Sequence, residues 1–200
     1  MPADLAVIGL GHLGLPLAQA AVAAGIETIG YDSDPRPVAE LAAGRTPVDG
    51  SLTASDVRRM LSGGFRPTTN PTELGRVRTA VICAPTPLGP DRTLDLTAVA
   101  EAARALAARL RPHTTVLLES PAGPGTTEGF LRTILEEGSG LRAGRDFHLA
   151  YSPGRLDPGR RSHGLTNTPK VIGGLTPACT ESAAAFYGRL TDKVVRARGP

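Results

Sequence analysis

Three glycines at positions 9, 11 and 14, in the hexapeptide Gly9-Leu10-Gly11-His12-Leu13-Gly14, constrain this chain more than any other feature. They close the short apolar run LAVIGLG, Leu5 to Gly11, and precede LPLAQAAVAAG, Leu15 to Gly25, a run of helix formers stopped by glycine. The order is strand, tight turn, helix. ETIGYD, Glu27 to Asp32, supplies a second short strand, and its closing aspartate stands eighteen residues after Gly14. A G-x-G-x-x-G pattern is weak alone, but in a β-α-β unit answered by an acidic residue it predicts a dinucleotide-binding turn.

In such a turn Gly9 permits the sharp bend, Gly11 lets the backbone approach a pyrophosphate, and Gly14 brings helix against strand. The helix start offers free N–H groups and a positive dipole to the anion, so Leu10, His12 and Leu13 belong to the same cofactor-binding segment. Asp32 would accept hydrogen bonds from the adenosine ribose and repel a 2′-phosphate, which favours NAD over NADP. Arg36 would pair with a phosphate or stack on adenine. FAD or a nucleotide sugar in the same crevice, or glycines that only shape a turn, are the alternatives.

The alternation continues along the chain. Pro37 to Gly44 is a second helix, and TASDVRRMLSGG a third with Thr53 or Ser55 near its N-cap. Arg78 to Pro87 is a buried strand entering a proline-rich loop, Leu96 to Leu110 the clearest helix, and Thr114 to Ser120 the next strand. PAGPGTTEGF opens a further helix with Thr126 or Thr127 as its cap; DFHLAYS, KVIGG and KVVRAR read as late strands, with CTESAAAFYGRL a helix between the last two. Strands separated by helices predict an α/β single domain, a doubly wound, mostly parallel sheet of Rossmann type spanning residues 1–200.

Composition narrows the function classes. The net charge of +3 is small and dispersed, which argues against nucleic acid. No run approaches the roughly 20 apolar residues of a membrane span, so a cytoplasmic protein is expected. Cys83 and Cys179 lie far apart without metal spacing, and His12, His113, His148 and His163 are scattered, so no metal site is expected. Cys83, inside VICAP, reads as a small buried hydrophobe, and Cys179 begins an alanine-rich helix with no histidine nearby in sequence.

VIGLGHLGLPLA, ICAPTPL, LESPAGPGTTE, AYSPGRLDPG and TPKVIGG, in that order, resemble the NAD-binding domain of the UDP-sugar 6-dehydrogenases, the UDP-glucose, UDP-N-acetylmannosamine and UDP-N-acetylglucosamine dehydrogenase family. The last two segments look closer to the N-acetylhexosamine enzymes. The resemblance implies oxidation of a sugar C6 alcohol to a carboxylate with NAD, through a cysteine-bound intermediate. It also implies that Pro85, Thr86 and Pro87 contact the cofactor and that Ser120 lies near the nicotinamide; Asp157 either offers its carboxylate to the cofactor region or serves an Asp-Pro-Gly turn.

Two positions depart from the family pattern. Glu119-Ser120-Pro121 stands where the family reads Glu-Ser-Thr, and Ser152-Pro153-Gly154 where it reads Ser-Pro-Glu. A hydroxyl and an acid/base carboxylate are thereby lost. The family's catalytic cysteine, lysine and asparagine belong to a linking helix and a second lobe, which are expected to be absent from a chain closing at Arg198-Gly199-Pro200. No catalytic residue is therefore assigned. The expected role is an NAD-binding domain inactive alone, taking a nucleotide-sugar substrate only with a second lobe or polypeptide, as a hetero- or homo-oligomer. The alternative is a non-catalytic regulatory or assembly module.

Overall fold

The computed structural model describes residues 3–48, 50, 52–154 and 168–200. Among them eight strands form one sheet: β1 (Leu5–Ile8), β2 (Thr28–Tyr31), β3 (Arg66–Thr68), β4 (Thr79–Ile82), β5 (Thr115–Leu118), β6 (His148–Tyr151), β7 (Lys170–Gly174) and β8 (Val194–Arg196). Their order is β3-β2-β1-β4-β5-β6-β7-β8. The helices are α1 (Gly14–Ala23), α2 (Pro35–Ala42), α3 (Ala54–Ser62), α4 (Thr97–Ala107), α5 (Arg132–Ser139) and α6 (Pro177–Tyr187).

Strand periodicity divides the core in two. Leu5 and Val7 point to one face and Ala6 and Ile8 to the other, as a period of two requires. The first face carries Leu15, Leu17 and Ala18 of α1, Val57 and Met60 of α3, and Ala183 and Tyr187 of α6. The second carries Val99, Ala103 and Leu106 of α4 with Leu135 of α5. Both faces are covered, which is why β1, β4 and β5 are uniformly apolar or buried along their length.

The doubly wound, mostly parallel sheet is the expected one, with three differences of detail. β6 and β7 are antiparallel, pairing Ala150 with Gly174 and Tyr151 with Gly173. Antiparallel neighbours need no crossover helix, and SPGRLDPGRRSHG between them carries no helical period. β3 is an unexpected edge strand whose Pro67 suits an edge because it need not donate to a ladder. The third difference is at the helix entry. Thr126 and Thr127 do not cap it: residues Thr126–Leu131 form a π-helical stretch leading into α5, and Gly125 holds the cap position at φ +80°. A hydroxyl cap needs an extended residue ahead of the first turn, and left-handed Gly125 is not one. At α3 the expectation holds, since Thr53 and Asp56 form a reciprocal capping box. No helix among the described residues is long and apolar enough to cross a membrane.

Candidate functional site

The strand order reverses between β1 and β4, where β1 leads outward to β2 and β4 outward to β5. A crevice opens at such a point beyond the carboxyl ends of the strands. Gly9 leaves β1 here at φ +100°, and a Cβ on it would lie 2.9 Å from the carbonyl carbon and oxygen of Cys83, so glycine is required on both counts. Gly14 is as constrained: its Cβ would fall 1.9 Å from the Gly9 carbonyl oxygen. Gly11 differs, because a Cβ there meets nothing within 4 Å. One glycine makes the bend, one admits the helix, and the middle one faces open space.

α1 begins at Gly14 with Leu13 at the cap position and no side-chain cap. Its first-turn amides lack a side-chain acceptor, the condition that favours an anion at a helix start. His12 is exposed beside them. Asp32, at the end of β2, is half-buried and already held: Oδ2 accepts the Leu10 N–H at 2.9 Å and Oδ1 the Asp34 N–H at 3.0 Å. Each oxygen keeps a second lone pair. A hollow of about 70 Å³ beside it is lined by Gly9, Tyr31, Asp32, Ser33, Ala98 and Glu101. Burial, and then the Asp32 charge, push the Tyr31 phenol up.

Arg36 stands close to this end of the crevice but is committed elsewhere. Its Nε and Nη2 donate to Asp34, the N-cap of α2, at 3.0 and 2.7 Å, with 88% of its side chain exposed. That pair holds the Asp34 carboxyl below its usual range. Water screens an exposed pair of this kind and leaves it little net strength, so a phosphate can displace it at little cost.

On the other side of the reversal, Pro85 is exposed and Thr86 Oγ1 is buried with no hydrogen-bond partner among the described residues. Ser120 is wholly buried, and its hydroxyl donates to the Ala84 carbonyl at 2.7 Å. Ser120 thus clamps the loop after β5 to the loop after β4 and has only acceptor capacity left. Gly154 follows β6, its N–H donating to the Glu119 carbonyl at 3.2 Å. A Cβ at that position would meet Leu13 Cδ1 at 2.4 Å. Leu13 therefore fills the space into which a side chain at 154 would first enter. Asp157 and His163 lie outside the described residues.

Beneath these loops lies a buried polar cluster that sequence reasoning missed, made by Glu119, Lys170 and Tyr187. Glu119 and Lys170 each end or begin an apolar run, and nothing in a single sequence pairs residues so far apart. A cavity of about 880 Å³ lies at the opposite end of the sheet and includes Asp4, Arg76, Arg78, Arg111 and Arg189. Arg111 and Arg189 follow the carboxyl ends of α4 and α6, where cations offset the helix dipole.

Both cysteines are buried, and no cluster of metal-ligating residues occurs among the described residues. Burial, and then the Glu119 charge, push the Cys83 thiol well above its ordinary value, away from nucleophilic use. Native protein should therefore release no thiol signal to an aromatic disulfide reagent over minutes, and two equivalents once denatured. Fast native labelling would show an accessible thiolate.

Residues 3–191 match the NAD binding domain of the UDP-glucose/GDP-mannose dehydrogenase family. The chain belongs to that family. It is 32% identical over 185 residues to the UDP-N-acetyl-D-glucosamine 6-dehydrogenase of Pseudomonas aeruginosa, covering 92% of this chain and 42% of that protein. It is 34% identical over 192 residues to the UDP-N-acetyl-D-mannosamine dehydrogenase of Escherichia coli K12, covering 92% of this chain and 45% of the relative. The UDP-D-ManNAc dehydrogenase structure from Pyrococcus horikoshii superposes with a TM-score of 0.91 at 29% identity, over 98% of this chain and 47% of that one. The chain thus spans a little under half the length of these relatives. The family domain binds NAD, so NAD is the cofactor of this fold.

Proposed function

We propose that this chain is the NAD-binding half of a cytoplasmic oxidoreductase of the nucleotide-sugar 6-dehydrogenase kind, and that it binds NAD without turnover unless a sugar-binding lobe is supplied. One observation carries the reading: Asp32 is anchored on the Leu10 amide, which fixes an acidic acceptor against the glycine turn at the point of strand reversal. In this reading the ribose hydroxyls bind Asp32, the pyrophosphate rests on the segment Gly9 to Gly14, and Arg36 swings from Asp34 to a phosphate or the adenine. Pro85 and Thr86 flank the nicotinamide side with Ser120 behind them. The unpartnered Thr86 Oγ1 and the open space at Gly11 support a dinucleotide there. Bound NAD would supply the hydride acceptor.

Turnover is a separate matter. The family's Ser-Pro-Glu is Ser152-Pro153-Gly154 here, and loss of a positioned acid/base group forfeits about 10²- to 10⁴-fold in rate. Pro121, in place of a threonine, removes a hydroxyl as well. These two substitutions favour the second reading, a nucleotide-binding regulatory or assembly module. Titration calorimetry with NAD, NADP and UDP-sugars tests the cofactor site that both readings share, and NADH formation after addition of a sugar-binding lobe separates the two. NAD should bind at micromolar to submillimolar concentration, NADP at least about tenfold more weakly through repulsion by Asp32, and UDP-sugars not measurably by this chain alone. NADH formation from a UDP-sugar by the isolated chain would overturn the inactivity; silence with NAD at millimolar concentration would end the cofactor reading.

A further inference from the structure

Beneath the crevice loops four groups with chemistry of their own are buried together, Cys83, Glu119, Lys170 and Tyr187, none more than 4% exposed. Lys170 Nζ lies 2.6 Å from Glu119 Oε1, donates to the Pro153 carbonyl at 3.3 Å, and stands 4.7 Å from the centroid of the Tyr187 ring. The Tyr187 hydroxyl donates to the same Glu119 oxygen. Glu119 Oε2 has no partner among the described residues. Burial and the Glu119 charge drive the Tyr187 phenol well up, so it stays a donor.

A buried ion pair is a poor device for stability alone, because desolvation offsets its attraction and an apolar pair of similar volume often does as well. Its placement supplies a better account. The Glu119 backbone carbonyl accepts the Gly154 N–H at 3.2 Å, Lys170 holds the carbonyl of Pro153 beside it, and neighbouring Ser120 holds the Ala84 carbonyl at 2.7 Å. The loops after β5 and β6 meet at this pair, and Ser120, next to Glu119, ties in the loop after β4. We propose that Lys170, acting through Glu119 and Pro153, is a positioning residue that sets the loops around the nicotinamide end of the crevice. The assignment rests on the NAD-binding reading of that crevice. Without the cation, Glu119 is left as a buried charge served by one tyrosine, and it must take up a proton or turn outward; either releases the segment 152–154.

The test compares NAD with ADP-ribose, which keeps the adenosine and pyrophosphate and lacks the nicotinamide. In the Lys170→Met chain NAD affinity should fall about tenfold, roughly the strength of a single well-oriented hydrogen bond, while ADP-ribose affinity stays within about twofold. Hydrogen exchange at the Gly154 amide should accelerate by about tenfold or more, with the β1 and β2 amides unchanged, and Lys170→Arg should recover most of both effects. If Lys170→Met does not fold, Glu119→Gln combined with Lys170→Met leaves no unpaired buried charge and carries the same measurement. Equal losses for the two ligands, or unchanged NAD affinity with unchanged exchange, would overturn the positioning role. Wild-type chain that binds neither ligand would remove the cofactor reading, while the exchange arm would still decide whether Lys170 braces the loops.

Discussion

Asp32→Ala should weaken NAD binding by about 10²-fold, since a hydrogen bond to a charged acceptor is worth about 1.5–3 kcal/mol and the ribose offers two hydroxyls. A second contribution adds to the first. The carboxylate holds the Leu10 and Asp34 amides at 2.9 and 3.0 Å, so the variant loses part of the organisation of the glycine turn as well as its ligand. Selectivity should change in the opposite sense. Repulsion of a 2′-phosphate goes with the charge, so the ratio of NADP to NAD affinity should rise even as both absolute affinities fall. Asp32→Asn sharpens the experiment, because an amide keeps one acceptor oxygen but turns an N–H toward one of the two backbone donors. Calorimetry reads the affinities and thermal unfolding checks that the fold persists. An unchanged affinity, or a fixed NADP to NAD ratio, would show that Asp32 does not meet the ribose.

The glycines of the turn should separate folding from binding. At Gly14 an added methyl would sit 1.9 Å from the Gly9 carbonyl oxygen and 3.0 Å from Val7 Cγ1, with backbone on one side and the core on the other. Gly14→Ala should cost about 3 kcal/mol, the upper range for overpacking, and lower the melting temperature by about 10 °C for a domain of this size. At Gly11 the same methyl meets nothing within 4 Å, and the backbone is not left-handed. Gly11→Ala should melt within about a degree of the parent yet bind NAD at least about tenfold more weakly, because the methyl takes the closest approach of the pyrophosphate. A Gly11→Ala chain that binds NAD like the parent would move the pyrophosphate away from this turn.

The turn, its aspartate and the two-faced sheet were legible because each is a local pattern: glycine spacing, a strand-end acid, apolar alternation. The direction of the Ser120 hydroxyl depends on where Ala84 lies across the sheet, which no local pattern records. Arg36 posed a similar difficulty. Its partner Asp34 is two residues away, yet whether the guanidinium folds back on the helix cap or reaches forward is a rotamer choice. The antiparallel setting of β7 is not legible because the apolar run of a strand does not record the direction of the neighbour it pairs with. β3 escaped because three residues with a central proline carry almost no strand signal. The Glu119–Lys170 pair was the hardest, a long-range contact between two charges that composition would place at the surface.

The anchoring of Asp32 also has a consequence in time. A carboxylate already tied to two amides loses little freedom when a ribose arrives, so the adenosine end of a dinucleotide docks on a finished surface instead of waiting for one to form. Encounter rates for different dinucleotides should then be similar, and discrimination among them should reside in how long each one stays.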